Sequence, residues 1–162
     1  MKSICIRPIQ NSDNPKIASI IRTTLAEFGA DKPGTVYFDP TTDDLFNLFS
    51  VPNSAYFIAE VEGIIVGGSG VFPTPGLPAG CCELVKLYLR PQMRGRGLGF
   101  MLMEKCFQKA LELGFTDMYL ETMPELRTAI GLYEKAGFSF LDGPMGQSGH
   151  FGCDLWMIKH LR

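Results

Sequence analysis

One stretch restricts this chain more than any other: Arg94-Gly95-Arg96-Gly97-Leu98-Gly99. Before it runs an apolar segment, Cys82 to Leu89, that reads as a buried strand. After it, Leu98, Leu102, Cys106, Ala110 and Leu113 recur at helical spacing and Gly114 ends the run. Strand, glycine loop and helix in that order place free backbone N–H groups and a positive dipole end at the start of the helix. Glycines let an anion come close to that backbone, and two arginines add charge, a combination that suits a diphosphate. Two familiar phosphate motifs do not fit. A Walker loop needs Gly-Lys-Ser/Thr where this chain has Gly99-Phe100-Met101, and a GxGxxG fingerprint fails at Phe100 or Leu102.

The remaining punctuation surrounds that unit with a mixed set of elements. Ser3 to Arg7 reads as a first strand. Asn11, Ser12 and Asp13 offer caps ahead of Pro15, and Ile17, Ile20, Ile21 and Leu25 mark a helix. Gly29 to Pro40 reads as a loop, and Thr41 or Thr42 as the cap of a short helix through Phe49. Tyr56 to Val61 and Ile64 to Phe72 pair across a Glu62-Gly63 turn. Past the glycine loop come a strand at Thr116 to Glu121, a helix at about Glu125 to Ala136, and closing strands at Phe138 to Leu141 and Phe151 to Lys159. An antiparallel-looking front half is therefore followed by strand, helix, strand, helix, strand, strand.

At 162 residues and 46% hydrophobic, the chain reads as one domain with a sizeable core, spanning 1–162. A formal charge of -2 gives no overall footprint for nucleic acid. No apolar run approaches the roughly 20 residues of a membrane-spanning helix, and Met1 to Pro8 is too short and polar for a signal peptide. Cys5, Cys81, Cys82, Cys106 and Cys153 show no CxxC spacing, and His150 and His160 are the only histidines. The expectation is reduced thiols, no metal site and a cytoplasmic protein.

Arg94, Gly97 and Gly99 form Arg-x-x-Gly-x-Gly, preceded by Leu87-Tyr88-Leu89-Arg90-Pro91 and followed about 30 residues later by Leu132-Tyr133-Glu134-Lys135-Ala136-Gly137-Phe138. With these the sequence resembles the GCN5-related N-acetyltransferase (GNAT) family over roughly residues 83–140. The resemblance implies an α/β three-layer fold. Its central sheet would be mixed and largely antiparallel, with six to seven strands flanked by about four helices and a splay between the strands at about 82–89 and 116–121. It implies acetyl-CoA as cosubstrate and direct transfer to a primary amine, small molecule or peptide, with a homodimer left open. It assigns the cofactor to Leu87, Tyr88, Leu89, Arg94, Gly95, Arg96, Gly97, Leu98, Gly99 and Tyr133. There is one departure: relatives often carry an asparagine, a cofactor contact, where this chain has Leu126.

Acetyl transfer to an amine sets three tasks. An alkylammonium of pKa about 10.4 must lose a proton, developing charge on the carbonyl oxygen must meet donors, and the departing thiolate must be protonated. The resemblance points to Tyr133 for the last and to backbone N–H groups near Leu87 to Leu89 for the second. Glu83 and Glu121 are both candidates for the first, and His150 is a weaker one. Phe28, Tyr37 and Phe38 are placed by the same resemblance at the acceptor pocket. A module that binds acetyl-CoA without turning it over, and a nucleotide-dependent enzyme, are the competing readings.

Overall fold

The β-branched and aromatic runs pair as their alternation requires. In the computed structural model, which describes residues 2–162, seven strands form one sheet. They are β1 (Ile4–Pro8), β2 (Ala55–Val61), β3 (Ile64–Phe72), β4 (Cys81–Leu89), β5 (Asp117–Thr122), β6 (Ser139–Leu141) and β7 (Leu155–His160). Their order in the sheet is β1-β2-β3-β4-β5-β7-β6. Every neighbouring pair is antiparallel except β4 and β5, which are parallel.

Four α-helices cover the sheet: α1 (Asn14–Glu27), α2 (Leu45–Leu48), α3 (Leu98–Glu112) and α4 (Arg127–Lys135). β2 shows why both faces need cover. Phe57, Ala59 and Val61 pack into one apolar cluster with Leu98, Leu102 and Cys106 of α3, while Tyr56 and Ile58 pack into another with Ile17, Ile21 and Leu25 of α1. Side chains alternate across a strand, so a strand apolar at every position is stable only between two layers of helix. The three-layer arrangement and largely antiparallel sheet agree with the sequence expectation.

Three boundaries differ from it by two residues or more. The last strand begins at Leu155, not Phe151. Gly149 takes a positive φ, and the Gly152 N–H donates to the Gly34 carbonyl, 2.8 Å. The chain there is tied to the loop after α1 instead of to the sheet, and Phe151 is left 82% exposed. The cap of α2 is Asp44, which accepts from the Asn47 N–H, whereas Thr42 is buried and donates to the Val36 carbonyl. The final helix starts at Arg127, two residues later than expected.

Candidate active site

Parallel strands β4 and β5 stay paired only briefly. Cys81, Cys82 and Glu83 lie opposite Asp117, Met118 and Tyr119, and there the pairing stops. From Leu84 onward β4 has no ladder partner on that side. A cavity of about 490 Å³ opens in the splay. Arg94, Gly95, Gly97 and Gly99 line it at the α3 end, while Glu83, Lys86, Glu121 and His150 line it at the other, with Tyr133 among the residues of α4 that flank it. The expected splay is thus present, and it is the cavity.

At the loop end the chemistry is carried by backbone. Gly97 caps α3 with φ +82° and no side-chain cap, and the first turn holds no acidic residue. The Met101 N–H closes that turn on the Gly97 carbonyl, so the N–H groups before it have no partner within the helix. An added Cβ at Gly97 meets open space, but the left-handed φ disfavours any other residue by roughly 1–2 kcal/mol. At Gly99 the crowding is between helices: a Cβ there would lie 2.6 Å from Leu132 Cδ2, so a larger residue would displace that side chain where α3 approaches α4.

The two arginines are less free than their charge implied. Arg94 is held by Glu27 at the end of α1, 2.6 Å, donates to the Leu89 carbonyl, and stacks over the Phe28 ring at 5.0 Å. It braces the loop against α1. Arg96 is exposed and outside the cavity lining, and Leu98 is a core residue, 1% exposed. Across the splay, the buried hydroxyl of Thr122, a residue of β5 in the cavity wall, has no hydrogen-bond partner. Uncapped N–H groups, a left-handed glycine and an orphaned hydroxyl along one channel fit a diphosphate joined to a long polar arm.

β4 does not run regularly past this cavity. Opposite Gly70 it presents Val85, but opposite Gly68 it presents Tyr88, so one extra residue is inserted. The bulge carries Lys86 at φ +53°. It is fixed by the buried Tyr56 hydroxyl, which donates to the Lys86 carbonyl at 2.7 Å. Tyr56 reaches it by lying across β3, where an added Cβ at Gly68 or Gly70 would come within 2.6 Å of its ring.

The acidic candidates differ in their surroundings. Glu83 is 3% exposed and accepts from the Thr74 hydroxyl at 2.5 Å. Burial pushes its carboxyl up to about 7, against the pull of that hydrogen bond and with the help of nearby Glu121. Glu121 has both oxygens engaged, by the Tyr119 hydroxyl at 2.7 Å and by the Ser148 hydroxyl. Tyr133 is buried at the cavity wall, and burial raises its phenol well above the ordinary value, so it stays protonated. His150, expected to open a strand, sits instead in the loop before β7. Its Nε2 lies 3.0 Å from Asp39 Oδ2. The Asp39 carboxylate is held far below its usual range by that bond first, and by two bonds from Thr41.

Residues 19–138 match the profile of the Acetyltransferase (GNAT) family. The chain belongs to the GNAT family. It is therefore an acyltransferase of the N-acetyltransferase class. An uncharacterized N-acetyltransferase of Escherichia coli (strain K12), YjgM, is 42% identical over 162 residues, 99% of this chain and 96% of that one. Among solved structures, an acetyltransferase of the GNAT family from Staphylococcus aureus Mu50 superposes with TM-score 0.86 at 18% identity, covering 99% of this chain and 100% of that one. The putative acetyltransferase yncA from Salmonella typhimurium, solved with its cofactor acetyl-CoA, gives 0.77 at 18% identity over 98% and 94% of the two chains.

Leu126 stands at the start of α4, lines the cavity and packs with the α1-side cluster. Phe28 lines the cavity, but beside Arg94 at the loop end. Tyr37 and Phe38 do not line it; they stack on each other, and Phe38 is 58% exposed. Sequence reasoning missed Lys86, Asp39 and Thr74. A lysine inside an apolar strand run was the available signal for the first. Among the described residues no helix is long and apolar enough to cross a membrane, and no group of three or more acidic, His or Cys residues is placed to hold a metal ion.

Proposed function

We propose that residues 1–162 form one N-acetyltransferase domain that moves an acetyl group from acetyl-CoA directly to a primary amine within a ternary complex. The observation that carries this is a single cavity. It runs from the uncapped start of α3, past Tyr133, to a buried carboxylate poised near neutrality. Acetyl-CoA supplies the acyl group, activated as a thioester. Glycines 95, 97 and 99 and the α3 N-terminus receive its phosphates by N–H groups, while Arg94 holds the loop in place. The unpaired edge of β4 at Leu87, Tyr88 and Leu89 offers N–H donors to the carbonyl oxygen as charge builds there.

Glu83 takes the proton from the acceptor's ammonium. A carboxyl near 7 is half ionised at neutral pH and is a far better base than one at 4. Glu121, with both oxygens already served, orders this end of the site instead of moving protons. Tyr133 donates to the sulfur. Burial keeps its phenol protonated but makes it a reluctant acid, so its contribution falls at the modest end of general-acid effects. Cys153 also lines the cavity, but burial and the carboxylates of Glu121 and Glu83 push its thiol up to about 12. That leaves almost no thiolate at pH 7, which favours direct transfer over an acetyl-cysteine route.

The test is acetyl-CoA-dependent thiol release across a panel of amine acceptors, with initial rates measured at varied concentrations of both substrates. Intersecting reciprocal plots are expected. Parallel plots would replace direct transfer by a covalent route. Tight acetyl-CoA binding with no acceptor ever consumed would make the domain a binding module.

A further inference from the structure

Lys86 lines the acceptor end of the cavity, and the proposed reaction does not use its chemistry. Its side chain is 4% exposed, yet it lines the cavity. Its nearest acidic partner, Asp39 Oδ2, is 3.9 Å away, beyond hydrogen-bond distance. Asp39 is in any case occupied: Oδ1 accepts from the Thr41 N–H and hydroxyl at 3.0 and 2.7 Å, and Oδ2 faces His150 Nε2 at 3.0 Å. An ammonium has three donors and no acceptor. Burying it with none of them matched is costly, and a methionine or leucine would fill the space without that cost.

The bulge explains how Lys86 comes to be there. Residues three apart in a regular strand point to opposite faces. The extra residue in β4 breaks that alternation, so that Glu83 and Lys86 both reach the same cavity. The backbone is locked in that state by the Tyr56 hydroxyl. A buried carboxyl and a buried ammonium, the latter paired with Asp39 only at 3.9 Å and without a hydrogen bond, thus line the same cavity. The loops carrying Asp39 and His150 are drawn together over them by the Gly152–Gly34 backbone bond and the His150–Asp39 contact, which suits a small acceptor.

We propose that the acceptor is an amino carboxylate, a small amine bearing a carboxylate on the same skeleton, with the carboxylate bound by Lys86 and the amine presented to Glu83. The proposal rests on the N-acetyltransferase reading above. A ligand carboxylate gives Lys86 the charge-assisted hydrogen bonds that no protein group makes. A polyamine or an uncharged monoamine leaves them unmade, and a second cation is repelled.

The test compares matched triplets of acceptors: amino acids, the corresponding amino-acid amides, and the amines that lack the carboxyl carbon. kcat/KM is measured for the parent and for Lys86→Met, with acetyl-CoA affinity followed by calorimetry. The parent is expected to prefer the carboxylate over its amide and amine by roughly tenfold or more. Lys86→Met is expected to lose that preference, chiefly through KM for the acceptor, while binding acetyl-CoA as the parent does. A parent that consumes amines or amides as readily as amino acids overturns the inference and leaves the transferase reading standing. So does a folded Lys86→Met protein that keeps the preference. If Lys86→Met does not fold, the parent's ranking of the triplets decides alone. A parent that binds acetyl-CoA and consumes no acceptor of any kind removes the transferase reading, and this inference with it.

Discussion

The two ends of the cavity are built by different means. The α3 end comes from one continuous stretch, Arg94 to Gly99, and what it offers a ligand is main chain: uncapped N–H groups shaped by a left-handed glycine. The acceptor end is assembled from separate segments. Glu83 and Lys86 come from β4, Glu121 from β5, Asp39 from the loop after α1, and His150 and Ser148 from the loop before β7. Main-chain donors are the same in every sequence, so the first end can serve one invariant cosubstrate. Side chains converging from distant segments can be exchanged one at a time, so the second end is where a GNAT domain can differ in what it acetylates.

If that division holds, changes at the two ends should separate in kinetics. The largest effect is expected at Glu83. Glu83→Gln should lower kcat/KM for the acceptor by roughly 10²- to 10³-fold at neutral pH, with acetyl-CoA affinity unchanged. In the parent, activity should rise with pH through about 7 as the carboxyl ionises, and the variant should lack that rise. The deficit should shrink at high pH, where the amine deprotonates unaided. Glu121→Gln should cost clearly less. An equal loss at both positions, or a pH profile unaltered by either, would break the assignment.

Next in size is Tyr133→Phe. The ring and its packing against Phe138 persist, so only the donor to sulfur is lost. Turnover should fall by about 10²-fold with little change in acetyl-CoA affinity. A change within twofold would make Tyr133 a packing residue.

The loop end should respond in binding instead. Gly97→Val introduces a β-branched side chain at φ +82°, where the phosphates would lie against the backbone. Acetyl-CoA affinity should fall by about tenfold, roughly 1.4 kcal/mol, with acceptor KM little altered. Unchanged affinity by calorimetry in the folded variant would sever the loop from the cofactor.

The smallest effect concerns stability. Glu83 has a carboxyl raised to about 7 in the folded chain, against about 4.5 for an ordinary glutamate. Between those values the native state binds a proton that the unfolded state does not, so stability falls as pH rises through that window. Above about 7 the buried carboxylate burdens the fold by on the order of 3 kcal/mol. Glu83→Gln should therefore raise Tm by several degrees at pH 8 and by little at pH 4.5. A larger gain at the acidic end would contradict burial as the cause.

The order of strands and helices and the glycine loop were legible in the residues themselves because both depend on local patterns, while the three-layer GNAT fold came from the family resemblance. Apolar period sets strand or helix, and a glycine at the start of a helix leaves its first N–H groups open, whatever lies elsewhere in the chain. Tyr133 was singled out by the family resemblance, within a helix that Gly137 ends. The reach of local pattern is short: nothing near Arg94 in sequence shows that Glu27, 67 residues away, holds it. The choice between Glu83 and Glu121 was likewise closed to sequence, since both are glutamates on apolar strands. Their difference is that two hydroxyls reach Glu121 while burial and a single threonine leave Glu83 near neutrality. Lys86 shows the limit most plainly. Strand alternation places it opposite Glu83, and only the inserted residue, measured against β3 and locked by a tyrosine from β2, turns it into the same cavity. Local periodicity is a property of neighbours along the chain. Desolvation, register and the company a charge keeps belong to neighbours in space, and those exist only once the sheet has closed around them.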